Sequence, residues 1–162
     1  MQAIFENFGI YAHVPFCSKP CGYCRFYKLR PGAEDIAEYV KACAIEAESL
    51  AREGVPEKVD TMFWGGGTPS SLPEGEMERL AEALGRFRPE REWTVEVSPS
   101  SAERGKLETL KRIGVTRISL GVQSFDECVL RSLGRAHSLR DTLEAIDAVA
   151  EAGFKNLSLI HI

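Results

Sequence analysis

The sequence predicts an α/β fold that is a partial parallel (β/α) barrel of about five βα units, ending before a barrel is complete. Short apolar runs recur along the chain, and each is followed by a segment with apolar residues at helical spacing. Loops that contain glycine or proline separate these segments. Because strands that alternate with helices form right-handed βαβ units, we expect a parallel sheet with its functional loops at the carboxyl ends of the strands.

The first unit begins with a buried strand over residues 9–14, and the loop after it contains three cysteines and ends at Pro31 and Gly32. Apolar residues at helical spacing then predict a helix over residues 33–52. The second unit has a strand over residues 59–64, followed by a glycine-rich loop and a helix. The remaining predicted strands are residues 93–97, 116–120 and 154–160, and the remaining helices are residues 74–86, 102–113, 127–133 and 139–152.

The end of the chain falls within the last predicted strand. Five βα units make only part of a barrel, so residues 1–162 are predicted to be one incomplete domain. Residues 157–162 match the peptide translated from a common transposon-end sequencing adapter. We therefore hypothesise that these six residues are not native, which a stop codon directly after a genuine Ile162 codon would contradict.

Composition and charge exclude several classes of function. The chain is 44% hydrophobic and 27% charged, the balance of one globular domain, and its net charge is −4. Its basic residues form no stripe, so nucleic-acid binding is disfavoured, and a small molecule or a protein is the expected partner. No apolar run reaches the roughly 20 residues of a membrane-spanning helix. Residues 1–8 lack the features of a signal peptide, so we predict a cytoplasmic protein.

Three of the five cysteines form the spacing C-x3-C-x2-C at Cys17, Cys21 and Cys24. Such crowding favours metal ligation in a reducing compartment over disulfides. Three thiolates are one too few for a closed zinc or cluster site, which predicts a metal centre with an open position for a reactant. His13 offers the alternative of a closed Cys3His zinc site. The other two cysteines, Cys43 and Cys128, fall on predicted helices, where we expect them to pack as small apolar residues without a chemical role.

The cysteine loop, with the aromatic Tyr23 before its last cysteine, resembles the cluster loop of the radical S-adenosylmethionine (SAM) superfamily. Three further strings narrow the resemblance: Gly65-Gly66-Gly67-Thr68-Pro69, Gly121-Val122-Gln123-Ser124-Phe125 and Gly134-Arg135-Ala136-His137. Together with residues 11–17, they resemble the oxygen-independent coproporphyrinogen III oxidase family, including its haem-chaperone branch. The resemblance covers residues 9–156.

This resemblance implies a [4Fe–4S] cluster on Cys17, Cys21 and Cys24, with one iron left open for SAM. In the family, an electron from the cluster splits SAM and yields a 5′-deoxyadenosyl radical. Each SAM position has an ordinary alternative: a flexible turn for the glycines, an exposed carboxylate for the glutamate, a surface position for the arginine and core packing for Tyr11. The residues that match family positions around SAM are Tyr11, Tyr23, Gly66, Gly67, Thr68, Glu96, Gln123 and Arg135.

Two positions depart from the family pattern. Ser98 stands where many relatives have asparagine, and Ile160 stands where relatives carry an acidic residue that reaches SAM. The adapter hypothesis explains the second departure. If residues 157–162 are foreign, the chain lacks the last strands and the substrate region of its parent protein.

Two functions in haem and porphyrin metabolism are implied by the resemblance. The favoured one is a haem chaperone, because only ten residues precede Tyr11 whereas the oxidases carry a long amino-terminal extension. The alternative is oxidative decarboxylation of coproporphyrinogen III propionates to vinyls. The implied partners are SAM, a porphyrin or haem, an electron donor protein and a haem acceptor protein. A zinc-stabilised interaction module is the third, non-redox reading.

Overall fold

One five-stranded parallel sheet organises the chain. The structure, a computed structural model, describes residues 8–19 and 21–161. The strands lie in the same order as they occur in the sequence, and each pairs with the next in parallel. The strands are β1 (Gly9–Val14), β2 (Lys58–Gly66), β3 (Arg88–Val97), β4 (Arg117–Gln123) and β5 (Leu157–His161).

Helices connect successive strands, as consecutive βα units require. Two short 3₁₀ turns, Pro69–Ser71 and Pro99–Ser101, follow β2 and β3. The predicted α/β fold with about five parallel βα units is confirmed. The helices are α1 (Ala33–Arg52), α2 (Glu74–Ala83), α3 (Arg104–Ile113), α4 (Glu127–Ser132) and α5 (Leu139–Glu151).

Several element boundaries differ from the prediction for identifiable reasons. Strand β3 begins at Arg88, five residues before the predicted start, because its first residues are polar and gave no apolar run. Helix α2 ends three residues early, and the buried Phe87 follows it. Strand β5 begins three residues late because Phe154 is buried ahead of it, with the Lys111 ammonium 4.7 Å from its ring centroid.

The buried core lies along the sheet and the helices that cover it. Trp64 of β2 and Trp93 of β3 meet edge to face with ring centroids 5.1 Å apart, and both are nearly fully buried. Helices α1, α2 and α3 pack in sequence against one another, which continues the core over the sheet. This packing fixes the strands, so the loops at their carboxyl ends have a rigid base.

The ends of the helices have sequence-specific stops. A capping box joins Ser138 and Asp141 at the start of α5, and the Asp126 carboxylate accepts from two backbone N–H groups at the start of α4. Gly114 ends α3 at φ 105°, in the left-handed region that favours glycine. None of the helices within residues 8–19 and 21–161 is long and apolar enough to cross a membrane.

Part of the sequence interpretation falls on residues outside the described ranges. The signal-peptide reading involves residues 1–7, the cysteine loop includes Pro20, and the chain ends at Ile162. Residues 157–161 form β5, which pairs in parallel with β4 from Leu157 onward. The hypothesis that residues 157–162 are not native stays a prediction.

Candidate functional site

A cavity of about 430 Å³ opens at the carboxyl ends of the strands. Loops after β1, β2, β3 and β4 contribute to its wall. Ten of the eleven residues predicted to hold the cluster or SAM line it, and Tyr11 is the exception. The ten are Cys17, Cys21, Tyr23, Cys24, Gly66, Gly67, Thr68, Glu96, Gln123 and Arg135.

The cysteine loop is tied back to the end of β1 by backbone hydrogen bonds. Leu29 N–H donates to Pro15 C=O at 2.7 Å, and Cys17 N–H donates to Leu29 C=O at 2.9 Å. Within the loop, Cys24 N–H donates to Cys21 C=O at 3.2 Å, and the Lys28 ammonium donates to Cys24 C=O at 2.6 Å. The loop therefore presents its cysteines from a fixed base.

The three loop thiols are free and partly buried. Cys17 Sγ lies 3.5 Å from Thr68 Oγ1, and Arg135 Nη1 donates to Cys21 Sγ at 3.3 Å. These contacts join the cysteine loop to the glycine-rich loop after β2 and to the segment before α5. Hydrogen bonds to ligand sulfurs are one means by which proteins tune iron–sulfur clusters.

The closed zinc site considered from the sequence is not formed. Both ring nitrogens of His13 are engaged, Nδ1 with the Tyr11 hydroxyl at 3.1 Å and Nε2 with Tyr27 C=O at 3.0 Å. Across the part of the chain that the structure describes, no three His, Cys, Asp or Glu side chains converge to hold a single ion. A [4Fe–4S] cluster takes each thiolate on a different iron, so its ligands are spaced more widely.

The glycine-rich loop packs backbone to backbone against the cysteine loop. Gly67 N–H donates to Val14 C=O at 2.8 Å, and Thr68 N–H donates to Phe16 C=O at 2.7 Å. A Cβ at Gly67 would come within 2.6 Å of the Phe16 carbonyl oxygen. Gly66 adopts φ 103°, a conformation that disfavours other residues. Since a side chain does not fit at these positions, the glycines are needed for close packing and do not serve only as a flexible turn.

Glu96 at the end of β3 is partly buried in the cavity wall. Burial raises the pKa of its carboxyl group, while the Gly66 N–H and the nearby His13 act in the opposite direction. Gly66 N–H donates to Glu96 Oε2 at 3.1 Å. Glu96 is therefore a fixed acceptor beside the glycine-rich loop, and the alternative of an exposed carboxylate was wrong.

Gln123, at the end of β4, is the one residue other than glycine with positive φ within the described ranges, at 68°. Its side chain is buried, and Oε1 has no hydrogen-bond partner. Such strain and an unpaired buried acceptor are both expected where a ligand completes a site. The pairing of β4 with β5 shifts in register between Leu120 and Gln123, so the positive φ lies at an irregular strand end.

Arg135 spans the cavity rather than lying on the surface. Its Nη2 donates to Gly121 C=O at 2.9 Å, and its Nη1 lies 3.4 Å from the Tyr23 hydroxyl. Its Nε is buried without a partner. The guanidinium therefore links the end of β4 to the cysteine loop and retains an unused donor. Nearby, His137 Nε2–H donates to Val122 C=O at 3.0 Å. Burial lowers the pKa of that histidine.

The two predicted tyrosines have different environments. Tyr23 lines the cavity, and burial raises the pKa of its hydroxyl group. Tyr11 is 54% exposed and packs against Phe63 with ring centroids 6.0 Å apart, away from the cavity lining. The alternative of core packing for Tyr11 was therefore wrong, because its side chain projects from the edge strand β1.

A closed ring of hydrogen bonds links the two 3₁₀ turns and was not foreseen. Ser101 Oγ donates to Ser98 C=O at 3.1 Å, and Ser98 N–H donates to Ser70 Oγ at 3.2 Å. Ser70 and Ser101 lie 2.5 Å apart through their hydroxyl oxygens. Since the Ser101 proton is used, Ser70 must donate to Ser101. The sequence signal was the repeated Pro-Ser-Ser, at residues 69–71 and 99–101, after two successive strands.

Other cavity residues also escaped sequence reasoning. Lys28 and Lys106 carry charge into the wall, and Ser100 lines it beside Ser98. Ile160 of β5 lines the cavity too, at the position where relatives were expected to carry an acidic residue. Single lysines and serines give no motif, so only their place after strand ends could have identified them.

The remaining cysteines lie on helices, as predicted. Cys43 is on α1, where burial raises the pKa of its thiol beside Tyr39, and Cys128 is exposed on α4. Neither lines the cavity. Cys128 thus offers a matched control for substitutions in the cysteine loop.

The sequence profile of the radical SAM superfamily matches residues 11–162. The chain belongs to this superfamily. Membership implies a [4Fe–4S] cluster and SAM as cofactors, and the cavity fits them. Three free thiols converge on it, bare glycine backbone forms one wall, and Gln123 Oε1 and Arg135 Nε are unpaired donors and acceptors beside them.

Similar radical SAM proteins are longer than this chain. The haem chaperone HemW of Bacillus subtilis is 37% identical over 154 residues, which are 92% of this chain and 40% of that protein. The mitochondrial radical SAM domain-containing protein 1 of Bos taurus is 37% identical over 144 residues, 87% of this chain and 33% of that protein. This chain thus spans about two fifths or less of these relatives.

A solved structure agrees with membership of the radical SAM superfamily. Coproporphyrinogen III oxidase (HemN) from Escherichia coli, a radical SAM enzyme, superposes with a TM-score of 0.84 at 28% identity. The match covers 96% of this chain and 37% of that protein. The likeness confirms a partial radical SAM barrel.

Proposed function

We propose that this chain is the cofactor-binding part of a HemW-like haem chaperone. Cys17, Cys21 and Cys24 would hold the [4Fe–4S] cluster, and the cavity beside them would hold SAM. The observation that carries the proposal is that ten residues at or after the carboxyl ends of four strands, each identified from the sequence, line one cavity. Chance convergence of scattered surface residues does not explain this grouping.

Each wall has a chemical task in this proposal. The cluster and SAM, when bound, supply one-electron chemistry that side chains do not provide. The backbone of Gly66 and Gly67 leaves room for the methionine part of SAM, and Glu96 accepts from its ammonium. Arg135 pairs with a carboxylate, which is a charge-assisted interaction. Gln123 donates to and accepts from a ribose, and Tyr23 lines the adenine.

The chaperone role is supported by the relatives. Several curated HemW proteins match, at 34% to 39% identity over 92% or more of this chain. We further propose haem as the cargo, a separate haem acceptor protein, an electron donor protein and a cytoplasmic location. The second candidate, coproporphyrinogen III oxidation, rests on the structural likeness to HemN.

Metal analysis and electron paramagnetic resonance test the cofactor assignment on anaerobically reconstituted protein. We expect about four irons and matching acid-labile sulfide per chain, with a spectrum that changes when SAM is added. Cys21→Ala should lose the iron, whereas the control Cys128→Ala should retain it. Stoichiometric zinc, or a cluster indifferent to SAM, would contradict the proposal.

The two candidate functions are separated with the full-length protein. Anaerobic incubation with coproporphyrinogen III, SAM and a reductant should release no carbon dioxide from a chaperone, and haem should bind without turnover. Carbon dioxide release with formation of vinyl groups would instead establish the oxidase and exclude the chaperone reading.

A further inference from the structure

Basic residues are concentrated in the cysteine loop. Residues 17–30 contain four of the 20 Lys and Arg residues of the chain and none of its 24 Asp and Glu residues. The other 148 residues therefore carry 16 basic and 24 acidic side chains. A local positive charge on an acidic protein is the arrangement that steers an acidic partner to one face.

These four charges are not neutralised by neighbours. The nine ion pairs found among the described residues involve none of Lys19, Arg25, Lys28 and Arg30. Lys28 donates to the backbone carbonyl of Cys24, which leaves its charge uncompensated. Lys19, Arg25 and Arg30 are exposed. The loop thus presents net positive charge to solvent.

Large apolar side chains are exposed between the charges. Phe26 is 65%, Tyr27 67% and Leu29 44% exposed. Aromatic residues and arginine are enriched at protein interfaces. We call residues 19 and 25–30 together the cluster-loop face.

The cluster-loop face is preformed and lies next to the metal ligands. The hydrogen bonds between Leu29, Pro15 and Cys17 hold it to the end of β1, the edge strand of the sheet. Arg25 directly follows Cys24 in the chain, and neither Arg25 nor Arg30 lines the cavity. Lys19, Phe26 and Lys28 of the face also line the cavity, whereas Arg25, Tyr27, Leu29 and Arg30 do not. A protein docked through the latter four residues therefore contacts the loop of the cluster ligands from outside the cavity.

We propose that the cluster-loop face docks an acidic one-electron carrier protein that reduces the cluster, an inference that rests on the proposed function. The carrier is oxidised by one electron, and the [4Fe–4S]²⁺ cluster is reduced to [4Fe–4S]⁺. No bond forms or breaks, and no proton needs to move. The aromatic side chains supply contact area, and the four cations orient the acidic partner.

Stopped-flow reduction of the reconstituted full-length protein tests this docking. The probe is a reduced, acidic [2Fe–2S] ferredoxin, and dithionite serves as a small reductant that needs no docking surface. The test variant is R25Q/R30Q. The control, R88Q/R91Q, removes the same charge from exposed positions at the start of β3, at the opposite end of the sheet from the cavity.

We expect R25Q/R30Q to lower the second-order rate constant with ferredoxin about tenfold at low salt, because steering by surface charge acts on association. The difference should shrink as salt rises, since the Debye length is about 10 Å at 0.1 M. The control variant and all dithionite rates should match wild type. Single replacements should each give a smaller loss in the same direction.

Equal ferredoxin rates for R25Q/R30Q and R88Q/R91Q, or a wild-type rate independent of salt, would overturn the docking proposal. So would loss of binding to phosphatidylserine vesicles in R25Q/R30Q with unchanged ferredoxin rates, which would assign the face to a membrane surface. Iron content and the SAM-dependent spectrum of the same samples report on the cofactor site. The docking proposal can thus fail while the proposed function stands.

Discussion

Replacing Ser70 and Ser101 by alanine, singly and together, tests the hydrogen-bond ring that joins the loops after β2 and β3. Each serine takes part in two of the three bonds, and the bond between their hydroxyls is shared. Ser70 is fully buried, and Ser101 is 9% exposed. The structure therefore predicts that the two substitutions are not independent.

The magnitude follows from the bond count. A buried hydrogen bond contributes about 1 kcal/mol net, so each single substitution should cost about 2 kcal/mol of unfolding free energy. The double variant removes three bonds and should cost about 3 kcal/mol. The sum of the single effects then exceeds the double effect by about 1 kcal/mol, which is the expected coupling energy.

Urea unfolding of the metal-free protein measures this cycle. Ser100→Ala is the control, because Ser100 is exposed and bonds only the Ser98 hydroxyl among the contacts found in the structure, and it should change stability by less than about 0.5 kcal/mol. Additive single effects, within about 0.3 kcal/mol, would refute the ring. They would mean that the two turns hold their shapes separately.

Three further substitutions probe the cavity. Gly67→Ala should destabilise the metal-free protein by about 1–3 kcal/mol in urea unfolding, because its Cβ meets backbone, whereas Gly75→Ala in open space on α2 should not; equal effects would contradict the close approach. Glu96→Gln should raise the melting temperature at neutral pH, because burial raises the pKa of the Glu96 carboxyl group and its ionisation then opposes folding. The gain should vanish when the pH falls below 4.5, the ordinary pKa of a glutamate carboxyl group. A gain that does not depend on pH would contradict this cause. Arg135→Gln should weaken SAM binding about 10- to 100-fold, as measured by calorimetry, because a charge-assisted hydrogen bond is lost. The iron content should stay unchanged. An unaltered affinity for SAM would show that Arg135 does not bind it.

The sequence was sufficient to predict the elements whose signals are local. Strand β1 and helix α1 match their predicted bounds because an apolar run and a long helical periodicity define them. The start of β3 was missed because residues 88–92 are four charged residues and a proline, on a strand held by pairing with β2. Sheet pairing is a tertiary effect, which a window of sequence does not report.

The residues of the candidate site also fall into those that the sequence predicts and those that it does not. Motif residues such as Gly67 could be predicted because close backbone approach demands glycine, and ten of the predicted residues line one cavity. The Ser70–Ser101 contact could not be predicted, because serine is common in turns. Only the pairing of β2 with β3, which places their carboxyl ends side by side, brings these hydroxyl groups together. Tyr11 was placed by resemblance alone, and its exposed position on an edge strand separates it from the rest.

Arg135 explains how a cavity can be organised by a sheet with only five strands. Its guanidinium contacts Cys21 after β1 and Gly121 on β4, so one side chain spans loops whose strands are separated by β2 and β3. The glycine-rich loop and the serine ring join the intervening strand ends to the same cysteine loop. The wall from β1 to β4 is therefore held by contacts within the chain itself. On the β5 side the wall ends in Ile160, which offers neither charge nor hydrogen bonds to a polar ligand. If relatives carry an acidic residue at this position, as the resemblance implies, Ile160 removes one acceptor from the β5 side of the wall.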